Sequence, residues 1–145
     1  MKTLLALSLL CLAALPAFAG EGNWLTDYNA ALAQAKKENK PLLIDFTGSD
    51  WCPPCKMMAK EVFAAPTFQE YAAKDLVLLK ADFPKLKPLP PAQQQANDAL
   101  AQKFNIEGFP TLIVLNGEGK ELARNVGYKP GGPAAVVEWI KQAAK

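Results

Sequence analysis

The chain has 145 residues, half of them apolar and 21% charged, which suits one globular domain with a real core. Its net charge is +2, with acids and bases interspersed, so nothing points to a nucleic-acid or membrane-surface partner. Histidine is absent, which excludes Ser-His and Cys-His catalytic pairs and histidine metal sites.

The first stretch reads as a leader. Lys2 supplies a positive start, an apolar run covers residues 4–15, and Ala17-Phe18-Ala19 has the small-x-small form of a signal-peptidase site. Residues 1–19 are therefore expected to be a cleaved signal peptide and residues 20–145 the domain. A membrane anchor is the alternative, but the run is short for a span. A lipoprotein would need a small residue before Cys11, and Leu10 stands there. Cleavage removes Cys11, leaves Cys52 and Cys55, and lowers the net charge by one through loss of Lys2.

"WLTDYNAALAQAKKENKP" has helical spacing in Trp24, Tyr28, Ala31, Leu32 and Ala35, with Thr26 as a cap and Asn39 and Pro41 as the stop. "PLLIDF" predicts a buried strand. "CPPCKMMAKEVF" predicts a helix, since proline is tolerated in a first turn. Pro66 breaks or kinks it, and "TFQEYAAK" resumes the helical pattern. "LVLLKADF" is a second buried strand. The proline-rich segment from Pro84 to Pro91 reads as a surface loop, with a domain linker as the alternative, and a helix follows to about Phe104. "TLIVL" and "ELARNV" flank Asn116-Gly117-Glu118-Gly119, a hairpin signal. A terminal helix enters through "GGP". Strands alternating with helices predict an α/β fold with parallel pairing and helices on both faces, to which the hairpin adds an antiparallel edge.

Cys52-Pro53-Pro54-Cys55 follows a buried strand and opens a helix. A zinc or iron–sulfur site would be half built with two cysteines and no histidine. Haem attachment needs a histidine where Lys56 stands. As a structural staple the pair would close a loop too small to constrain the unfolded chain much. In an oxidising compartment, a dithiol redox centre is the reading that remains.

Three stretches, in this order, resemble the thioredoxin superfamily across nearly all of residues 20–145. "LLIDFTGSDWCPPCK" is similar to its strand, loop and active-site helix, "FNIEGFPT" to its cis-proline loop, and "NVGY" to the glycine turn before its last helix. The leader and "FTGSDWC" are more similar to exported bacterial members than to the cytosolic protein. The loop from Asp45 to Cys52 is one residue longer than the common spacing, and the proline-rich segment lengthens the route to the cis-proline loop.

The resemblance implies a thioredoxin-like fold, a central mixed β-sheet flanked by helices on both faces. It implies Cys52 as the nucleophile, favoured as thiolate at a helix N-terminus, and Cys55, more buried, as the resolving thiol. Asp45 matches the buried carboxylate that takes a proton from Cys55, and Lys80 the lysine near it. A solvated face is the alternative for both. Pro110 matches the cis-proline, against an ordinary trans strand-entry proline, and would set Phe109 and its backbone beside the thiols for an extended substrate. Trp51 is expected to shield the sulfurs and offer an apolar contact, against a plain core aromatic.

The function expected is thiol-disulfide exchange outside the cytoplasm, periplasmic or secreted, with no cofactor and no metal, and preferentially reductive. Pro53 and Pro54 offer no N–H to the Cys52 thiolate. Asp50 and Lys56 are expected to offset each other nearby. The partners implied are disulfide-containing proteins and a thiol electron donor such as a membrane thiol-disulfide interchange protein, met by a monomer with no membrane span after cleavage. The alternatives are a disulfide isomerase or oxidase of this fold, or a non-catalytic binding or redox-sensing module.

Overall fold

The computed structural model describes residues 22–145. The expected leader, with Lys2, Cys11 and Ala19, lies outside the described residues.

The strands are β1 (Trp24–Leu25), β2 (Leu42–Thr47), β3 (Val77–Asp82), β4 (Thr111–Leu115) and β5 (Glu121–Val126). The helices are α1 (Tyr28–Glu38), α2 (Pro53–Met58), α3 (Pro66–Asp75), α4 (Pro91–Lys103) and α5 (Gly132–Ala143). The strands form one mixed sheet of order β1-β3-β2-β4-β5. β1 and β2 run parallel to β3, while β4 is antiparallel to both β2 and β5.

The expected first helix is shorter than its apolar spacing suggests. Trp24 and Leu25 pair with Leu78 and Leu79 as an edge strand. The helix starts after Asp27, whose carboxylate accepts the Ala30 N–H at 2.8 Å, so Asp27 and not Thr26 is the cap. Asn39 ends it in the left-handed region, at φ 52°.

β2 is buried along its whole length because helices cover both faces of the sheet. Side chains alternate between those faces. Leu42, Ile44 and Phe46 join Ile113 and Leu115 beneath Ala31 and Ala35 of α1 and Leu100 of α4. Leu43, with Leu112 and Val114, packs against Met58, Phe68 of α3 and Val136 and Ile140 of α5. Continuing by twos from Leu43 brings Asp45 and Thr47 to the α2 face. β3 contributes Lys80 and Asp82 directly opposite them in register. The polar residues of the two central strands therefore collect under the cysteine helix.

α2 continues without interruption into a π-helical segment, Ala59–Phe63, in which the Ala64 N–H donates to the Ala59 carbonyl five residues back. This segment carries Val62 and Phe63 into the core before Pro66 opens α3.

Candidate active site

Cys52 is the N-cap of α2, in extended backbone, and Cys55 lies one turn inside. They are joined as a disulfide, the oxidised form of a dithiol. Pro53 and Pro54 occupy the first helical positions, so the first turn presents few free N–H groups. The donor aimed at sulfur comes from outside the helix: the Gly48 N–H points at Cys55 Sγ, 3.5 Å away. The expected difference in burial is not seen, since both cysteines are 3% exposed. The reason is the turn before α2. The Trp51 and Cys52 N–H groups both donate to the Gly48 carbonyl, which folds residues 48–51 back beside the first cysteine.

Asp45 is buried, 4% exposed, and its Oδ1 has no hydrogen-bond partner among the described residues. Its carboxyl is pushed up to about 7, first by burial. The Lys80 charge opposes that rise and the Asp82 charge adds to it. Asp45, Cys55 and Lys80 line one cavity of about 570 Å³, together with Thr47, Lys56 and Asp82. The Lys80 ammonium also lies 5.5 Å from the centre of the Trp24 ring. The solvated-edge alternative for Asp45 is thereby excluded: the carboxyl is inside and faces the same space as the inner cysteine.

The Phe109–Pro110 peptide bond is cis. The Pro110 carbonyl accepts the Gly127 N–H at 2.7 Å, and Gly127 has φ 85°, a conformation that suits glycine. The cis-proline loop and the glycine turn of "NVGY" are therefore fastened together. Phe109 stacks at a tilt on Phe83, centroids 5.1 Å apart, and meets Trp51 edge-on at 6.0 Å. Trp51 is half-buried and donates its Nε1–H to the Phe83 carbonyl at 2.7 Å.

The sequence brought forward Cys52, Cys55, Asp45, Lys80, Trp51, Phe109 and Pro110, and these gather around one end of the sheet. It missed the groups that hold the active-site loop. Asp82 accepts both the N–H and the hydroxyl of Ser49. Asp50 makes no ion pair with Lys56; its carboxylate accepts the Lys85, Leu86 and Lys87 N–H groups at 2.9, 2.7 and 3.0 Å. Those bonds, first that from Lys85, hold its carboxyl below the usual carboxylate range. Gly48 is also functional in position: a Cβ there would lie 2.5 Å from the Trp51 ring. An acid ending a buried strand was the available signal for Asp82. Asp50 carried none, since its partners lie 35–37 residues away.

A disulfide-bonded cysteine pair at a helix start, beside a buried carboxyl, on this sheet, is the site of a thiol-disulfide oxidoreductase. Residues 28–144 match the thioredoxin-like domain model, and the chain belongs to that family. It is similar to the disulfide bond reductase DsbH of Chlamydia pneumoniae, at 39% identity over 118 residues, 81% of this chain and 70% of that one. Its structure is similar to that of a DsbH oxidoreductase, with TM-score 0.80, 36% identity and 90% of each chain covered. Part of the thiol:disulfide interchange protein DsbD of Cronobacter sakazakii is also similar, at 38% identity over 66% of this chain but only 15% of that protein.

Proposed function

We propose that the protein reduces disulfides of other proteins outside the cytoplasm. The observation that carries this reading is the shared cavity of Cys55 and Asp45, taken with the similarity to a disulfide bond reductase. In the reduced protein, the Cys52 thiolate attacks a substrate disulfide. One substrate sulfur leaves as thiolate, and a mixed disulfide forms at Cys52. Cys55 then gives its proton to the Asp45 carboxylate and attacks Cys52 Sγ. The second substrate sulfur leaves, and the Cys52–Cys55 disulfide remains.

A carboxyl that titrates near neutrality takes and returns a proton at low cost, which an ordinary exposed aspartate does not. Lys80, opposite Asp45, tempers the cost of its charge. Trp51, Phe109 and the backbone before Pro110 receive the substrate chain. A thiol protein outside the cytoplasm returns the electrons. Residues 1–19 direct export and are removed.

Trapping tests the reading. A Cys55→Ser variant in the exported fraction should accumulate protein adducts on Cys52 that dithiothreitol releases, and the isolated chain should begin at Gly20. Adducts confined to the cytoplasmic fraction, or none at all, would contradict it.

A further inference from the structure

The proline-rich segment between β3 and α4 is not a loose surface loop. Asp50 receives three successive N–H groups from residues 85–87, Trp51 donates to the Phe83 carbonyl, and Ser49 is bonded to Asp82. Every residue from Ser49 to Trp51 is thus tied to the stretch that starts at Asp82. Two residues before Cys52, the chain spends a carboxylate on fixing this segment's backbone.

What the segment then presents is defined. Leu86 is 74% exposed, although its backbone is pinned. Lys85 and Lys87 flank it and are exposed. The Lys85 ammonium lies 3.8 Å from the centre of the Trp51 ring. Trp51 and Phe83 both contact Phe109, the residue before the cis-proline. Lys85, beside this apolar tip, is therefore linked through the Trp51 ring to Phe109, the residue before the cis-proline. Asp50 stays ionised beneath the tip, its oxygens facing inward onto the 85–87 N–H groups, so two ammonium groups stand against one carboxylate and the tip keeps a positive excess.

We propose that residues 83–87, held in place by Asp50, form a specificity wall that selects substrate segments carrying an acidic and an apolar side chain next to the disulfide-bonded cysteine. This rests on the reading of the site as one that acts on proteins, and it names the class of segment that site prefers. The acidic group would meet Lys85 or Lys87, and the apolar one Leu86. Charge at an interface rim acts mainly on encounter and partner choice, so discrimination should appear in KM more than in kcat. Asp50 touches no reacting atom and is a positioning residue.

The test uses the mature protein and two synthetic peptides, each closed by one disulfide. They are identical except that Asp-Leu flanks one cysteine in the first and Lys-Leu in the second. Exchange is followed in both directions, from reduced protein with oxidised peptide and from oxidised protein with reduced peptide. The wild type should favour the Asp-Leu peptide by about tenfold in kcat/KM, mostly through KM, and Lys85→Glu/Lys87→Glu should reverse the order. Asp50→Asn should bring the ratio towards one and speed hydrogen exchange of the 85–87 amides. Because each ratio is taken within one variant, loss of stability does not imitate the result. Equal rates for both peptides in the wild type, or a preference that survives the double charge reversal, would overturn the wall. A ratio that survives Asp50→Asn with freed amides would overturn the role of Asp50. The reductive reading fails separately, if equilibrium lies towards oxidised peptide and reduced protein while the preference persists in the rates.

Discussion

At the scale of single residues, the two cysteines differ in what surrounds them rather than in exposure. Cys52 ends the loop and precedes two residues without N–H groups, whereas Cys55 shares a cavity with an acid. In the proposed reaction Cys52 attacks and Cys55 resolves. Cys52→Ser should abolish reduction of protein disulfides. Cys55→Ser should still attack but stop at the mixed disulfide. Alkylation of the reduced protein at mildly acidic pH, mapped by mass spectrometry, should label Cys52 first. Faster labelling of Cys55 would reverse the assignment.

Asp45 gives a second residue-scale prediction. Its pKa rises from 3.8 unfolded to about 7 folded. Between these values the unfolded chain has lost the proton that the folded chain keeps, so stability falls as pH rises through that window and is level above it. The loss reaches at most about 4 kcal/mol, at 1.36 kcal/mol per pH unit of difference. Asp45→Asn removes the ionisable group, so denaturant midpoints of the variant should vary less from pH 4 to pH 8 and exceed those of the wild type at pH 8. The same variant should slow resolution of the mixed disulfide more than its formation. Equal slowing of both steps, or an unchanged pH profile, would return Asp45 to a purely structural role.

At the scale of elements, the loop before α2 is built around a close approach. Gly48 leaves room for the Trp51 ring, whose Nε1–H is bonded to the Phe83 carbonyl. Gly48→Ala would force the ring or the turn aside. Overpacking of this kind costs roughly 1–3 kcal/mol, and thermal unfolding should show it, with slower exchange because the Cys52 turn moves with the ring. Unaltered stability and rate would mean that Trp51 moves away freely and does not fix the turn.

The elements that were legible in the sequence are those whose signal is local. β2, β3 and β4 announce themselves as short apolar runs, the β4–β5 hairpin by its Asn116-Gly117-Glu118-Gly119 turn, and α5 by its glycine-proline entry. Trp24 and Leu25 were misassigned because two apolar residues before a helix extend its periodicity, while only the distant Leu78 and Leu79 make them a strand. The π-helical turn at Ala59–Phe63 has no marker of its own, since one shifted hydrogen-bond register leaves the apolar pattern almost intact. The cysteines and Asp45 were legible because a paired thiol motif and an acid in an apolar strand are both anomalies. The work of Asp50 was not, because its three partners are backbone groups of a segment that looks like an unconstrained loop.

At the scale of the whole molecule, the alternation of β2 and β3 places Asp45, Lys80 and Asp82 under the helix that carries the cysteines. The mixed sheet brings the cis-proline loop to the same end, where β4 begins beside β2 at Thr111 and Phe46. The fold thus sets a cysteine pair, a buried carboxyl and the cis-proline loop at one site. Its direction depends on how stable the Cys52 thiolate is. Pro53 and Pro54 contribute no N–H to it, and no histidine is available to add charge. A less stabilised thiolate means a less stable reduced form and a dithiol that gives electrons away. The measurement that tests this most directly is the reduction potential, obtained by equilibrating the mature protein with dithiothreitol or glutathione buffers and counting free thiols. The expected value lies nearer the roughly −270 mV of thioredoxin than the roughly −120 mV of a strong oxidant of this fold. Pro54→His should raise it, since the added charge favours the reduced thiolate. A wild-type potential close to the oxidant value would contradict the reductive account and make disulfide introduction the better description.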